Sequence, residues 1–520
     1  MKNLPIGTQS FEILRTTNCV YVDKTEIIYR LITTGRVYFL SRPRRFGKSL
    51  LISTMEAIFK GKKELFEGLY IYDRWDWSLQ YPVIRIDWSN IKHATPEEME
   101  RSMLLFLKRH AALYQITLVS EYASDCFAEL IELLHLKTGQ QVVVLIDEYD
   151  VPILDAIGAT PELMKKTREW IHDFYRILKA GDEHLRFIFL TGVSKFSGLS
   201  VFSALNNIND ISMDSQYASV CGYTQPELES YFADYIDITA ENMEITRETL
   251  LKNIRCLYNG YTWDGKTPVY NPFSTLLFFY KKEFAGYWFR TGTPTFLINI
   301  LRQRNQLNVV LEEFTVDASV FDSFDPESIA AEPLLFQTGY LTVKRKELVD
   351  EGRPQYTLAL PNREVRESLL KHLLNVYTEY PVAQTDSLKS DMQRHICECD
   401  GDGLANDLRR MLACVPYNLQ VAGEAYYHSI FLIWMKLLGF DIQGELMTNT
   451  GRIDAVWRQN DLTVVAELKF HRSKSAKSLL KDALAQIREK RYYERFADRK
   501  VLLLGVAFTG KDVACRMETI

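Results

Sequence analysis

Residues 37–55 constrain this chain more than any other stretch. Val37-Tyr38-Phe39-Leu40 is an apolar run of the buried-strand type, Ser41-Arg42-Pro43-Arg44-Arg45-Phe46-Gly47-Lys48-Ser49 follows it, and Leu50-Leu51-Ile52-Ser53-Thr54-Met55 continues with helical spacing. A strand that passes through a loop ending in Gly-Lys-Ser and then into a helix is the setting of a phosphate-binding loop. Backbone N–H groups at the helix N-terminus and the positive end of its dipole hold phosphate, a lysine at position 48 reaches the β/γ oxygens, and a serine at 49 ligates Mg²⁺. Arg45, Phe46, Gly47, Lys48, Ser49 and Leu50 would then surround the phosphates. Position 42, where the G-x-x-x-x-G-K-[ST] pattern asks for glycine, is arginine, so the loop is expected to be less open than usual.

A second element supports this reading. Val142-Val143-Val144-Leu145-Ile146 has the continuous apolarity of a doubly buried strand and ends in Asp147-Glu148. In enzymes with such a loop the first carboxylate holds Mg²⁺ and the second polarises the attacking water. Tyr81 to Asp87 and Leu185 to Gly192 read as further strands, and residues 96–136 as helical. Strands alternating with helices imply an α/β fold with a parallel sheet and its ligand at the strands' C-terminal ends. Thr191, Ser194 and Lys195 then fall beside the terminal phosphate, or in a solvated loop. Phe11, Leu14 and Tyr21 fit a cover for adenine or ordinary core, with core the stronger reading. Arg44, Arg45, Arg176 and Arg186 are all open as the arginine that stabilises transferred phosphate.

A chain of 520 residues is too long for one core and should split into two to four domains. The net charge of −5 argues against a surface coated with basic groups, so contact with nucleic acid must be local. The first residues contain no apolar signal region, no stretch approaches the ~20 apolar residues of a membrane helix, and no membrane role is expected. Eight cysteines without a C-x-x-C pair read as reduced thiols, and a cytoplasmic location follows.

The C-terminal part carries a second chemical pattern. Residues from Asp441 to Leu446, Gly451 to Trp457 and Leu462 to Phe470 read as three strands after a helix that contains Glu424. Asp454 lies thirteen residues before Glu467, and Glu467 and Lys469 project from one face of their strand. Two carboxylates suit Mg²⁺, which takes oxygen ligands and keeps several waters. A lysine beside them can orient the water that attacks a phosphodiester. Glu424 is a candidate for a further acidic ligand. Residues 469–500 hold eleven Lys/Arg against four Asp/Glu, a basic stripe suited to a phosphate backbone or to a solvated helix face. Tyr258-Asn259-Gly260-Tyr261-Thr262-Trp263 fits a packed loop better than a platform for stacking bases.

Arg42 to Ser49, Val22-Asp23-Lys24-Thr25, Asp147-Glu148-Tyr149-Asp150 and Thr191-Gly192-Val193-Ser194-Lys195-Phe196-Ser197 together resemble the bacterial AAA-ATPase-like family. Leu205-Asn206-Asn207, Cys221-Gly222-Tyr223-Thr224, Tyr258 to Tyr261 and Tyr270 to Ser274 extend the likeness over nearly the whole chain. The absent first glycine is typical of that family. The C-terminal pattern is similar to the PD-(D/E)XK nuclease superfamily, a restriction-endonuclease-like α/β fold in which Asp454, Glu467 and Lys469 match the catalytic trio and Gln486 and Tyr492 a supporting pair. Ile453 stands where that motif has proline.

The resemblance implies an AAA-like ATPase domain over 1–224, a helical, winged-helix-like lid over 225–345, a helical connector over 346–415 and a nuclease-like domain over 416–520. It implies ATP and Mg²⁺ as cofactors, catalysis by Glu148 in the first domain and by Asp454, Glu467 and Lys469 in the last, and nucleic acid as partner, DNA ahead of RNA. A homo-oligomer or a partner protein stays open. A nucleotide switch of the STAND type, with the nuclease fold used only for binding, is the other function these motifs allow.

Overall fold

Five apolar strands explain most of the N-terminal architecture. Val37–Ser41 (β1), Val83–Asp87 (β2), Val142–Asp147 (β3), Leu185–Gly192 (β4) and the short Asn209–Asp210 (β5) form one parallel sheet in the order β2-β3-β4-β1-β5. β1 and β3 are buried throughout, because parallel strands with helical crossovers are covered on both faces. The order places β1 between β4 and β5, and brings Asp147 beside Asp87 at the C-terminal end of the sheet. The computed structural model describes the chain except residues 158, 196–204, 206, 289–312, 323–330, 350–351, 379–384, 414–423, 448–450, 460, 497–498 and 510–511. Phe196, Ser197, Asn206, Cys414 and residues 416–423, which open the expected nuclease-like domain, therefore lie outside the described residues.

The chain divides into two units, the first reaching Glu364 and the second running from Val365 to Ile520. In the first, the helices Gln225–Tyr231, Ala233–Asn242, Arg247–Tyr258 and Pro272–Lys281 enclose a core of Leu228, Phe232, Ile254, Tyr258, Phe278 and Phe279 that also takes in Val20 and Val22. An antiparallel sheet follows, β6 (Phe314–Asp317), β7 (Thr342–Val349) and β8 (Arg353–Ala359) in the order β6-β8-β7. The second unit holds β9 (Ile442–Met447), β10 (Arg452–Gln459), β11 (Leu462–Phe470), β12 (Lys500–Phe508) and β13 (Val513–Thr519) in the order β13-β12-β11-β10-β9. Only β11 and β12 pair in parallel, joined by the Ala476–Glu489 crossover helix.

Residues 96–136 are helical, as two helices, Pro96–Leu113 and Ala123–Thr138, with a break between them. Gln115 takes a left-handed φ of 54°, and the Glu129 carboxylate accepts hydrogen bonds from the Val119 and Ser120 N–H groups in the break. The segment expected as a helical connector from 346 is corrected: it opens with the end of β7 and with β8, the latter entered through Gly352 at φ 76°. Residues 386–402 are polar enough in sequence to suggest a boundary or an exposed connection, but the fold makes them helical. They lie mostly in the Thr385–Cys397 helix and the start of Gly401–Ala413, with Leu388, Met392 and Ile396 buried at helical spacing.

Phe11, Leu14 and Tyr21 are core, with the Phe11 ring against Tyr21 and Phe66. Tyr261 and Trp263 are buried as well, in keeping with a packed loop. The described cysteines are free thiols. No helix among the described residues is long and apolar enough to cross a membrane.

Lys24 fixes the helical segment to the parallel-sheet segment. Its ammonium donates to both carboxylate oxygens of Glu227, at 2.6 and 2.7 Å, while Glu227 also accepts from the Thr224 N–H in a capping box. Burial lowers the Lys24 pKa, and the Glu227 charge opposes that shift. Lys24→Ala leaves a mostly buried carboxylate without its cation and should cost about 2 kcal/mol, less than a fully enclosed pair because Glu227 keeps some solvent contact. Urea unfolding that shows an unchanged midpoint would contradict this.

Candidate functional site

The loop from β1 to the Lys48–Phe59 helix turns twice through left-handed backbone, at Arg45 (φ 71°) and Gly47 (φ 95°). An added Cβ at Gly47 would meet nothing within 4 Å, so backbone conformation rather than space calls for glycine there. Such turns direct successive N–H groups into one concavity, suited to phosphate. Lys48 is buried and donates to the carbonyl oxygens of Arg42 (2.9 Å) and Pro43 (3.2 Å). Ser49 and Leu50, half-buried, begin the helix behind it.

Arg42, in place of the first glycine, is wholly buried beneath the loop. Its guanidinium donates to the carbonyls of Ser41 and Ser212, both at 2.8 Å, and of Tyr217 at 3.4 Å, and lies 3.8 Å over the Trp263 ring. Burial lowers its pKa to about 10, opposed by the charges of Cys221, Asp210 and Asp264. The Phe46 side chain turns into the same cluster, edge-on to Tyr261 and Trp263, so only its backbone is available to a phosphate. Trp288 Nε1 donates to Arg44 O at 3.0 Å, and an added Cβ at Gly339 would meet Pro43 at 2.7 Å. The loop is therefore supported from behind by residues more than 160 positions away.

Asp147 is buried at the end of β3 and accepts from Thr191 Oγ1 at 2.9 Å. Glu148 follows at φ 52°, a strained value for a non-glycine residue. Burial raises its carboxyl pKa, against the pull of the Lys48 charge. Asp150, buried, accepts from the Val193 and Ser194 N–H groups at 3.0 and 2.7 Å, and burial lifts its pKa to about 6. Lys195 pairs with Asp210 at 2.9 Å. Of the candidate arginines, Arg186 lies near the start of β4, away from the ends that carry Asp147 and Thr191, and donates to Ile32 O. Arg176 falls in the last turns of the helix that feeds β4, on that same far side. Arg44 and Arg45 belong to the loop itself and are exposed.

In the second unit the pairing of Ala455 with Ala466 sets Asp454 next to Glu467 across β10 and β11. Asp454 Oδ2 accepts from the Leu468 N–H at 2.9 Å, and Lys469 Nζ lies 3.0 Å from Glu467 Oε1. Glu467 is almost completely buried. Tyr492 is buried and hydrogen-bonded to Gln486; burial raises its pKa, and the Glu467 and Asp454 charges add to the rise. The structure thus brings together Asp454, Glu467, Lys469, Gln486 and Tyr492. Glu424 opens the Glu424–Leu437 helix, but its side chain lies outside the described residues. Four positions on, His428 places Nε2 3.0 Å from Asp454 O. Sequence reasoning missed His428, although its i,i+4 spacing from Glu424 was a signal.

Among the described residues no three His, Cys, Asp or Glu side chains form a metal cage. Two hard carboxylates with a lysine nevertheless fit Mg²⁺, which leaves most of its coordination to water and substrate. Ser49 with Asp147 would be the corresponding oxygen donors in the first unit.

Residues 5–202 match the family described as predicted AAA-ATPase, and residues 422–518 match the PD-(D/E)XK nuclease superfamily. The chain belongs to this class of protein, an AAA-ATPase-like domain followed in the same polypeptide by a nuclease-superfamily domain. It is 39% identical over 519 residues to a protein of Azotobacter chroococcum mcd 1 described as an uncharacterized protein in the vnfD 5′ region, across 98% of this chain and 96% of that one.

Arg42→Gly restores the usual glycine pattern yet removes the guanidinium that donates to three carbonyls. It should destabilise the first unit by ~2–4 kcal/mol and weaken nucleotide binding. Calorimetric melting and titration with a fluorescent ATP analogue check this, and unchanged or tighter binding would show that the loop does not rely on Arg42.

Proposed function

We propose that this protein hydrolyses ATP and that the hydrolytic cycle governs a Mg²⁺-dependent nuclease acting on nucleic acid, DNA ahead of RNA. The observation that carries the reading is that one chain holds two complete constellations. One is Lys48 beyond the C-terminal end of β1 with Asp147 and Glu148 at the same end of β3, the two strands flanking β4, and the other is Asp454, Glu467 and Lys469 on adjacent strands.

In the first unit the loop N–H groups and Lys48 bind the phosphates, with Lys48 exchanging its two loop carbonyls for phosphate oxygens. Ser49 and Asp147 would hold the ion that accompanies the nucleotide, and Thr191 orients Asp147. Glu148 is the carboxylate left to polarise the attacking water. In the second unit Asp454 and Glu467 would hold Mg²⁺, which when bound acidifies a water and offsets charge on the phosphodiester. Lys469, in contact with Glu467, orients that water, while the Leu468 N–H fixes Asp454. Arg472, Lys477 and Lys481 are exposed on the segment that follows Lys469 and supply cations for a phosphate backbone.

Incubating labelled single- and double-stranded DNA and RNA with Mg²⁺, with and without ATP, tests the reading. Cleavage should disappear with EDTA, fall at least 100-fold in Lys469→Ala, and change its ATP dependence in Lys48→Ala. ATP turnover without cleavage of any substrate would remove the nuclease half.

A further inference from the structure

Asp150 takes no part in the chemistry above, yet it is built into the nucleotide end of the sheet. Five hydrogen bonds join residues 147–150 to residues 191–194: Thr191 Oγ1 to Asp147, the Tyr149 N–H to Thr191 O, the Tyr149 hydroxyl to Ser194 O, and the Val193 and Ser194 N–H groups to Asp150 Oδ2. The last two concentrate on one carboxylate oxygen, and a carboxylate accepts such bonds more strongly than a neutral group.

Gly192 makes the close approach feasible. An added Cβ there would come within 2.4 Å of Asp150 Oδ1 and 2.7 Å of the Tyr149 ring. Beyond Gly192 the chain leaves the sheet, so no ladder of strand hydrogen bonds sets the course of Val193 and Ser194. Asp150 holds their N–H groups instead, while the Ser41 hydroxyl donates to Val193 O at 2.6 Å and the Tyr149 hydroxyl to Ser194 O at 2.8 Å. The same loop carries Lys195, whose N–H donates to Gln337 Oε1 at 3.2 Å.

We propose that Asp150 is a positioning residue for ATP hydrolysis: by holding Val193 and Ser194 it fixes the end of β4, so that Thr191 keeps Asp147 in its working orientation. The inference rests on the ATPase reading given above. Its signature is loss of turnover without loss of nucleotide binding, because the loop N–H groups and Lys48 are not part of this clasp. Asp150→Asn removes the charge, and Gly192→Ala keeps the carboxylate but forces it to move.

Steady-state ATP hydrolysis by the full-length chain tests this, with affinity for a fluorescent ATP analogue and thermal melting measured on each variant. Both substitutions should lower kcat by about 100-fold, the scale of a small misplacement of reacting groups, with KM and analogue affinity within about threefold of wild type. Turnover retained within threefold in Asp150→Asn overturns the proposal. So does a parallel loss of kcat, affinity and melting temperature in both variants, which would mark a structural role alone. If the wild-type chain binds the analogue but hydrolyses no ATP, the ATPase reading itself falls and takes this role with it.

Discussion

A buried guanidinium organises the first unit. Arg42 is enclosed at the point where a phosphate loop ordinarily has glycine, and an unsupported charge there would be prohibitive. Carbonyls from Ser41, Ser212 and Tyr217 and the Trp263 face supply the support. In doing so they bind the loop to the end of β5 and to the Tyr258–Trp263 segment. The loop that faces phosphate and the region behind it are consequently one packed body, with Phe46, Trp288 and Gly339 completing the contact. A glycine loop obtains its shape from backbone freedom. This one obtains it from long-range anchoring.

The carboxylate centre of the second unit depends on a different constraint, strand register. Asp454, Glu467 and Lys469 share a site because Ala455 pairs with Ala466. A slip of one residue would send Asp454 to the opposite face of the sheet. Burial of Ile453, Val456 and Val465 against Leu484, Ile487 and Leu503 holds that register, so apolar packing positions the polar chemistry. Tyr492 belongs to the same cluster and carries its hydroxyl to Gln486 beside the carboxylates.

Legibility followed from how local each signal was. β1, β3 and β4 were readable because doubly buried parallel strands are continuous apolar runs. The hairpin of β7 and β8 was not, since Lys344 to Glu347 is a consecutive charged run without the alternation that marks a half-buried strand in sequence. The break between the helices at Leu113 and Ala123 depends on Glu129 folding back onto Val119, which no local pattern announces.

By itself the sequence determined the chemical parts: Gly47, Lys48 and Ser49 before a helix, Asp147 and Glu148 at the end of a buried strand, and Asp454, Glu467 and Lys469 at strand spacing. These are short-range patterns whose meaning lies in residue type and period. Tertiary structure alone decided what Arg42, Asp150, His428 and Glu227 do. Each acts on a partner that is distant in sequence, 170 residues for Arg42 and Ser212 and 203 for Lys24 and Glu227. Burial makes those partners obligatory, because a polar group removed from water must find its hydrogen bonds within the fold.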